Sequence, residues 1–295
     1  MIKIGISGGE SDSAGELLRI LINHPDVDLK WIESHSLAGH RVENRHHGLL
    51  GEFSTTFVAH GELSEIDLLF ACAPRAFSTD SDVNLPMIVD LSGNNRIEQQ
   101  GGGWVYGLPE LNRRRIVHDC RRVACPSALA IAVALALLPP ARNLLLAGSI
   151  DVECHLPHGI SHDGVRGELQ QAVAALQQSF DGDINLSIMP ADSGRALCTV
   201  VSLDCNIEVD MVRQLFEEYY DDHNLTHVVT RDIDSRDVVN TAKALIYISR
   251  ADNGRLLITT MLDPVVKGGA GCAVHNMNLL CGLHERVGLA LKALA

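Results

Sequence analysis

The chain opens on a strand, a glycine turn and a helix, and that opening restricts its fold more than any other feature. Ile2-Lys3-Ile4-Gly5-Ile6 reads as a strand and Gly8 to Ser13 as a polar, glycine-containing turn. The apolar residues at 14, 17, 18, 21 and 22 then fall at helical spacing. A helix that follows a strand this closely carries the chain back over the sheet. The next strand therefore lies parallel to the first, through a right-handed crossover. Asp28 to Glu33 reads as that second strand, Asp67 to Ala73 as a third and Pro86 to Leu91 as a fourth. The third is almost wholly apolar, as a strand covered on both faces is.

The pattern changes near Cys125. Ala128 to Leu138 reads as an apolar helix that stops at Pro139-Pro140. Leu144 to Val152, Asp183 to Met189 and Leu197 to Asp204 read as strands, and Val165 to Phe180 and Val209 to Tyr220 as helices. Lys243 to Ser249 and Leu256 to Leu262 alternate like paired strands around an Asp252-Asn253-Gly254 turn. Gly268 to Leu294 looks mostly helical. A parallel-sheet domain followed by an α+β layer domain fits a length of 295 residues.

Lys and Arg number 24 against 37 Asp and Glu, a formal net charge of −13. Such a chain repels phosphate backbones and anionic lipid, so general nucleic-acid binding and membrane attachment are not expected. Met1 to Ile6 is too short for a signal segment, and Ala128 to Pro140 falls short of a membrane span. None of the eight cysteines has C-x-x-C spacing, and most lie in apolar runs. They read as buried, reduced thiols of a cytoplasmic protein. Cys154, His155, His158 and His162 lie within nine residues, with His158 and His162 four apart. Pro157 and Gly159 oppose the helix that would aim both imidazoles at one metal, so no metal is expected.

The opening turn has two readings. Gly5, Gly8 and Gly9 let backbone N–H groups approach a dinucleotide pyrophosphate, and Ser11, Ser13 and Ala14 begin a helix whose dipole favours an anion. Glu10 and Asp12 sit in the same turn. A carboxylate beside a phosphate costs on the order of 1 to 4 kcal/mol per close pair. The plainer reading is a turn that keeps the fold and binds nucleotide weakly or not at all.

Four segments carry a resemblance. They are Gly15 to Pro25 (GELLRILINHP), Asp90-Leu91-Ser92 with Arg96, Val105 to Arg113 (VYGLPELNR) and Lys267 to Leu279 (KGGAGCAVHNMNL). Together they make the chain similar, over nearly its whole length, to the N-acetyl-gamma-glutamyl-phosphate reductases of the semialdehyde dehydrogenase group. The resemblance implies an α/β protein: a Rossmann-type nucleotide domain at 1–126, joined by a C-terminal helix at 270–295, and an α+β catalytic and dimerisation domain at 127–269. It implies NADP as cofactor, held by Gly5, Gly8, Gly9, Ser11, Ser13, Ala14, Ser92 and Asn276. Arg96, Glu110, Arg113 and Lys267 would contact the substrate, an N-acyl-glutamyl phosphate of arginine biosynthesis. A cysteine thiolate would displace phosphate from that acyl phosphate. Hydride from NADPH would then reduce the thioester to the semialdehyde, with a histidine as acid/base. A homodimer or homotetramer is implied as well. Several of these residues also have a scaffold reading: Glu110 and Arg113 can pair with each other, and Asn276 can hold a backbone turn.

The departures from the family pattern fall on the chemistry. The family nucleophile lies in Asn-Pro-Gly-Cys, and the matching residues here are Cys125-Pro126-Ser127-Ala128. Ala128 has no atom that can form a thioester. Cys125 is the candidate replacement, but a helical turn is about 5.4 Å and catalytic placement tolerates about 1 Å. Asp163 and Val165 fall where two family histidines belong, which leaves His162 as the candidate acid/base. A glycine- and serine-rich loop expected between Val152 and Gly164 is missing. Pro74-Arg75-Ala76 replaces Pro-His-Gly, with Arg75 a candidate phosphate contact or a surface helix cap, and Cys272 replaces glutamine. Three readings follow: a family member whose activity is reduced or lost, an active reductase using Cys125, and a non-catalytic metabolite-binding module.

Overall fold

The computed structural model describes residues 1–74, 85–98, 102–118, 120–191 and 194–293. Arg75 lies outside the described residues. In chain order the elements are β1 (Ile2–Ser7), α1 (Asp12–Leu21), β2 (Val27–Glu33), β3 (Leu68–Ala71), β4 (Met87–Asp90), β5 (Val105–Tyr106), α2 (Pro109–His118), β6 (Arg122–Ala124) and α3 (Ala128–Arg142). They continue with β7 (Ile150–Leu156), α4 (Val165–Ala174), β8 (Ile184–Pro190), β9 (Leu197–Leu203), α5 (Val209–Tyr220), β10 (Thr226–Val229), β11 (Ala244–Arg250), β12 (Leu256–Leu262) and α6 (Gly271–Leu280). Among the described residues no helix is long and apolar enough to cross a membrane.

The first compact unit is Met1–Pro126 with Gly269–Ala290. Its six strands are all parallel, in the order β2-β1-β3-β4-β6-β5. Helix α1 starts where the Ser11 hydroxyl accepts the Ala14 N–H at 3.2 Å. Its Ala14, Leu17, Leu18, Ile20 and Leu21 are buried, and each large side chain contributes about 1.5–3 kcal/mol by leaving water. Helix α6 packs on α1, α2 and β4. Strands β5 and β6 were not expected; at two and three residues they are too short to show a period.

The helix expected through 270–295 ends at Leu280 instead. Gly282 adopts φ +69°. Its N–H bonds the Leu279 carbonyl at 3.2 Å, and the Leu283 N–H reaches back to Asn278 at 2.8 Å. These two bonds close the helix, and a left-handed glycine permits them.

The second unit is Ser127–Gly268 with Leu291–Ala295. Its sheet runs β10-β11-β12-β9-β7-β8. The four central strands are antiparallel, and the outer pairs, β10 with β11 and β7 with β8, are parallel. The hairpin expected at Asp252-Asn253-Gly254 joins β11 to β12. Strands β9 and β12 alternate buried and half-buried residues, so one face of the sheet is covered. Helix α3 lies on that face, with Ala128 to Ala141 buried throughout, and it packs on α4 and α5 as well.

Helix α3 does not stop at Pro139 but runs through both prolines to Arg142. A proline at 139 cannot supply the N–H that the Leu135 carbonyl would receive in a helix. The Tyr220 hydroxyl donates to that carbonyl instead, at 2.6 Å. Residues 144–149 are not a strand, and Leu144 takes φ +57°. Helix α4 ends at Ala174, short of Phe180. Beyond it the Gln177 side chain bonds both the N–H and the carbonyl of Leu146, at 3.1 and 2.7 Å.

Candidate functional site

In the first unit the candidate residues collect at the C-terminal ends of the parallel strands, where open α/β sheets bind ligands. Strand β1 has β2 on one side and β3 on the other, which makes its end the point where strand order reverses. Gly8 adopts φ +70° there. A Cβ on Gly8 would lie 2.5 Å from the Ala73 Cβ and 2.7 Å from its nitrogen. Only glycine lets the β1 turn and the end of β3 approach this closely.

The turn is fixed on its other side too. The Gly9 N–H donates to the Glu33 carbonyl at 2.8 Å, and a ring nitrogen of buried His46 lies 2.7 Å from the Gly9 carbonyl. The Ser11 hydroxyl donates to the Gly8 carbonyl at 2.9 Å besides capping α1, and it lies 3.1 Å from the Ser13 hydroxyl. Asp12 pairs with Arg45 at 2.7 Å. Glu10 carries a buried Oε2 with no hydrogen-bond partner among the described residues. The glycine backbone fits a pyrophosphate, and the Arg45 pair offsets the Asp12 charge. The Glu10 carboxylate opposes an anion.

A second cluster lies at the ends of β4, β5 and β6. Buried Asp90 accepts the Ser92 N–H at 2.8 Å and the Asn95 amide at 2.7 Å. Its carbonyl receives the Cys125 N–H at 2.8 Å, and Arg96 Nε donates to the Cys125 carbonyl at 3.2 Å. Cys125 is 3 % exposed. Its thiol is held well above the ordinary cysteine range, first by its hydrogen bond with the Cys272 thiol, then by burial. Asn276, fully buried, donates through Nδ2 to the carbonyls of Gly107 at 2.9 Å and Cys272 at 3.0 Å. The same nitrogen lies 3.5 Å from the Cys272 sulfur and 3.9 Å from that of Cys125. Asn276 Oδ1 has no partner among the described residues, which leaves a buried acceptor for a cofactor amide.

The candidate substrate contacts of this unit are partly structural. Arg113 pairs with buried Glu285 at 3.2 Å, and the other Glu285 oxygen lies 2.8 Å from His275 Nε2. Glu110 is buried at the start of α2.

In the second unit, Ser127 caps α3 by accepting the Ala130 N–H at 3.3 Å. Its own N–H donates to Oε2 of buried Glu168 at 3.0 Å. Ala128, 8 % exposed, faces Gly268, where an added Cβ would lie 2.5 Å from the Ala128 Cβ. Asp263 shapes the approach to Gly268. It is fully buried and accepts from Arg195 Nε and from the N–H groups of Asn240, Val265 and Val266. Its carbonyl takes the Gly268 N–H at 3.0 Å. Lys267, one residue earlier, is buried.

His162 and His158 lie on an exposed stretch before α4. His155 pairs with Glu153 at 2.8 Å, while Cys154 points to the covered face of β7. Among the described residues no three metal-binding side chains converge. Asp263, Arg195 and His46 were not singled out from the sequence. Their partners lie 68 and 37 residues away, beyond any local pattern.

Residues 3–118 match the family model described as semialdehyde dehydrogenase, NAD binding domain. The chain is 39% identical over 320 residues to the N-acetyl-gamma-glutamyl-phosphate reductase of Parabacteroides distasonis, covering 99% of both chains. It is 38% identical to the protein of that name from Phocaeicola vulgatus, again over 99% of both. Among solved structures, aspartate semialdehyde dehydrogenase II from Vibrio cholerae superposes with a TM-score of 0.71 at 12% identity, over 96% of this chain and 99% of that one. Aspartate semialdehyde dehydrogenase with NADP from Candida albicans gives 0.70 at 12% identity, over 95% and 98%. These structural matches support the α/β, Rossmann-type fold.

Proposed function

The chain belongs to the N-acetyl-gamma-glutamyl-phosphate reductase family, and from that premise we propose that it keeps the family's nicotinamide-binding skeleton without its covalent reaction. The observation that carries this reading is Ala128, an apolar side chain at the N-terminus of α3, packed against Gly268. An acyl phosphate needs a nucleophile to displace phosphate, and a methyl group has no lone pair to give.

Cys125 does not offer an equivalent. The reactive form is the thiolate, and burial with the Cys272 hydrogen bond keeps this sulfur protonated. His162 lies on an exposed stretch before α4. The first unit would hold a nicotinamide dinucleotide, which supplies or accepts hydride when bound. Gly8 and Gly9 would approach the pyrophosphate, and Ser92 and Asn276 would complete the contacts. NADP is the form that the resemblance implies.

The names of its relatives support a role in arginine biosynthesis, and its free cysteines support a reducing, cytoplasmic setting. Its ligands would be N-acyl-glutamyl phosphate or the semialdehyde. The outer face of the second unit's sheet carries half-buried Val200, Leu245, Tyr247, Leu257 and Met261, which suits a homo-oligomer.

The test is absorbance at 340 nm with N-acetylglutamate semialdehyde, phosphate and NADP or NAD. The expected result is no turnover above background, in the wild type and in Cys125→Ala alike. Turnover in the wild type that Cys125→Ala abolishes would overturn the proposal in favour of an active reductase.

A further inference from the structure

We infer that Glu33 makes the first unit a site for the dinucleotide lacking a ribose 2′-phosphate, so that NAD(H) binds in preference to NADP(H). The inference rests on the nicotinamide reading of the opening turn and departs from the cofactor that the resemblance implies.

Glu33 is the last residue of β2 and pairs in register with Ser7, the last residue of β1. Its carbonyl accepts the Gly9 N–H at 2.8 Å. The end of β2 is thereby tied to the glycine turn. With a pyrophosphate on such a turn, the adenosine ribose lies over the end of the second strand. An acidic residue there, about 20 residues beyond the turn, receives the 2′-hydroxyl, whereas a nearby arginine accommodates a 2′-phosphate. Glu33 stands in the first arrangement. Its Oε2 accepts the Gly61 N–H at 3.0 Å, which fixes the carboxylate at the strand end.

The two arginines of this region are already paired with carboxylates. Arg45 pairs with Asp12 at 2.7 Å and Arg41 with Glu43 at 3.3 Å. Glu10 adds a further negative charge in the turn. The Ser34 hydroxyl, just past the strand, accepts the Leu37 N–H at 3.2 Å and lies against Ser36. A 2′-phosphate at the end of β2 would therefore meet the Glu33 carboxylate with both arginines engaged. The two hydroxyls of an unphosphorylated ribose carry no charge and can donate to Glu33.

The experiment is titration calorimetry of the full-length chain with NAD and with NADP, for the wild type, Glu33→Gln and Glu33→Ser. The wild type is expected to bind NAD at least about tenfold tighter than NADP. Glu33→Gln removes the charge and should narrow that ratio mainly by strengthening NADP. Glu33→Ser should narrow it further and weaken NAD. Equal or tighter NADP binding by the wild type, or a ratio unchanged in both variants, overturns the inference and leaves the nicotinamide reading standing. Failure of both nucleotides to bind at millimolar concentration, by a chain whose melting curve shows it folded, overturns both readings.

Discussion

The hydroxyl of Tyr220, at the end of α5, donates to the carbonyl of Leu135 in α3 at 2.6 Å, and Leu135 is the residue that Pro139 deprives of a helical partner. A buried carbonyl left unbonded costs about 1–3 kcal/mol. Tyr220→Phe should therefore lower stability by roughly that amount, read as a shift in the urea midpoint. In a Pro139→Ala background the helix regains its own N–H, and the same change should cost less. Equal costs in both backgrounds would mean that the hydroxyl is not compensating for the proline.

Gly268 and Ala128 test the close packing at the start of α3. Gly268→Ala places a methyl 2.5 Å from the Ala128 Cβ, inside contact distance. Overpacking of this kind costs about 1–3 kcal/mol. Ala128→Gly in the same chain should relieve part of it, because neighbouring sites couple. Additive costs in a double-mutant cycle would count against the close approach.

His24 and the buried thiols, Cys72 among them, give the stability pH dependences of opposite sense. Burial lowers the pKa of His24 below its ordinary 6.5, against smaller opposing effects from Asn278, Asp26 and Val287. Its Nδ1 accepts the Asp26 N–H, and its Nε2 lies 3.1 Å from Asn278 Oδ1, so the neutral ring uses both nitrogens. The unfolded chain takes up a proton at this site before the folded one. Stability is thus present above pH 6.5 and is lost as pH falls toward the folded value. Burial raises the Cys72 thiol from 9.0 to about 12. Below pH 9 its contribution is whole, and it is lost as pH rises from about 9 toward 12. Urea midpoints at pH 5.5, 7.5 and 10 should peak at the middle value. His24→Gln should flatten the acid limb, and Cys72→Ala part of the alkaline limb, which the raised thiols of Cys125, Cys154, Cys198 and Cys281 share.

The outward sheet face of the second unit predicts association. Sedimentation should show a species larger than 32.0 kDa, and Tyr247→Asp, placing a charge among half-buried apolar neighbours, should shift it toward the single chain. A wild type that sediments only at 32.0 kDa would reject the homo-oligomer.

The opening of the chain was legible because its signals are local. A glycine turn and apolar residues at 14, 17, 18 and 21 specify a strand and a buried helix within two dozen residues. Strands β9, β11 and β12 were legible for a similar reason, a two-residue alternation over seven positions. The passage of α3 through Pro139-Pro140 was not, since the hydroxyl that permits it lies 85 residues away at Tyr220. Nor was the early end of α6, where Gly282 outweighs the apolar pattern beyond it. At the site, the sequence located Cys125 and Ala128 along the chain. It could not supply the Cys272 thiol hydrogen-bonded to the first or the Asp263 turn that brings Gly268 against the second, because both depend on chain segments distant in sequence.

The first unit is assembled from two stretches separated by Ser127–Gly268 of the second. Asn276 closes on Gly107, Asn278 on His24 and Glu285 on Arg113 only once the later stretch exists. On a ribosome adding about 5–20 residues per second, the nucleotide-binding part waits roughly 10–30 s after residue 126 for its final helix. During that interval Ser127–Gly268 of the second unit are made. Most of the second unit is therefore made before the first can close, and the amino-terminal half is completed from the far end of the message.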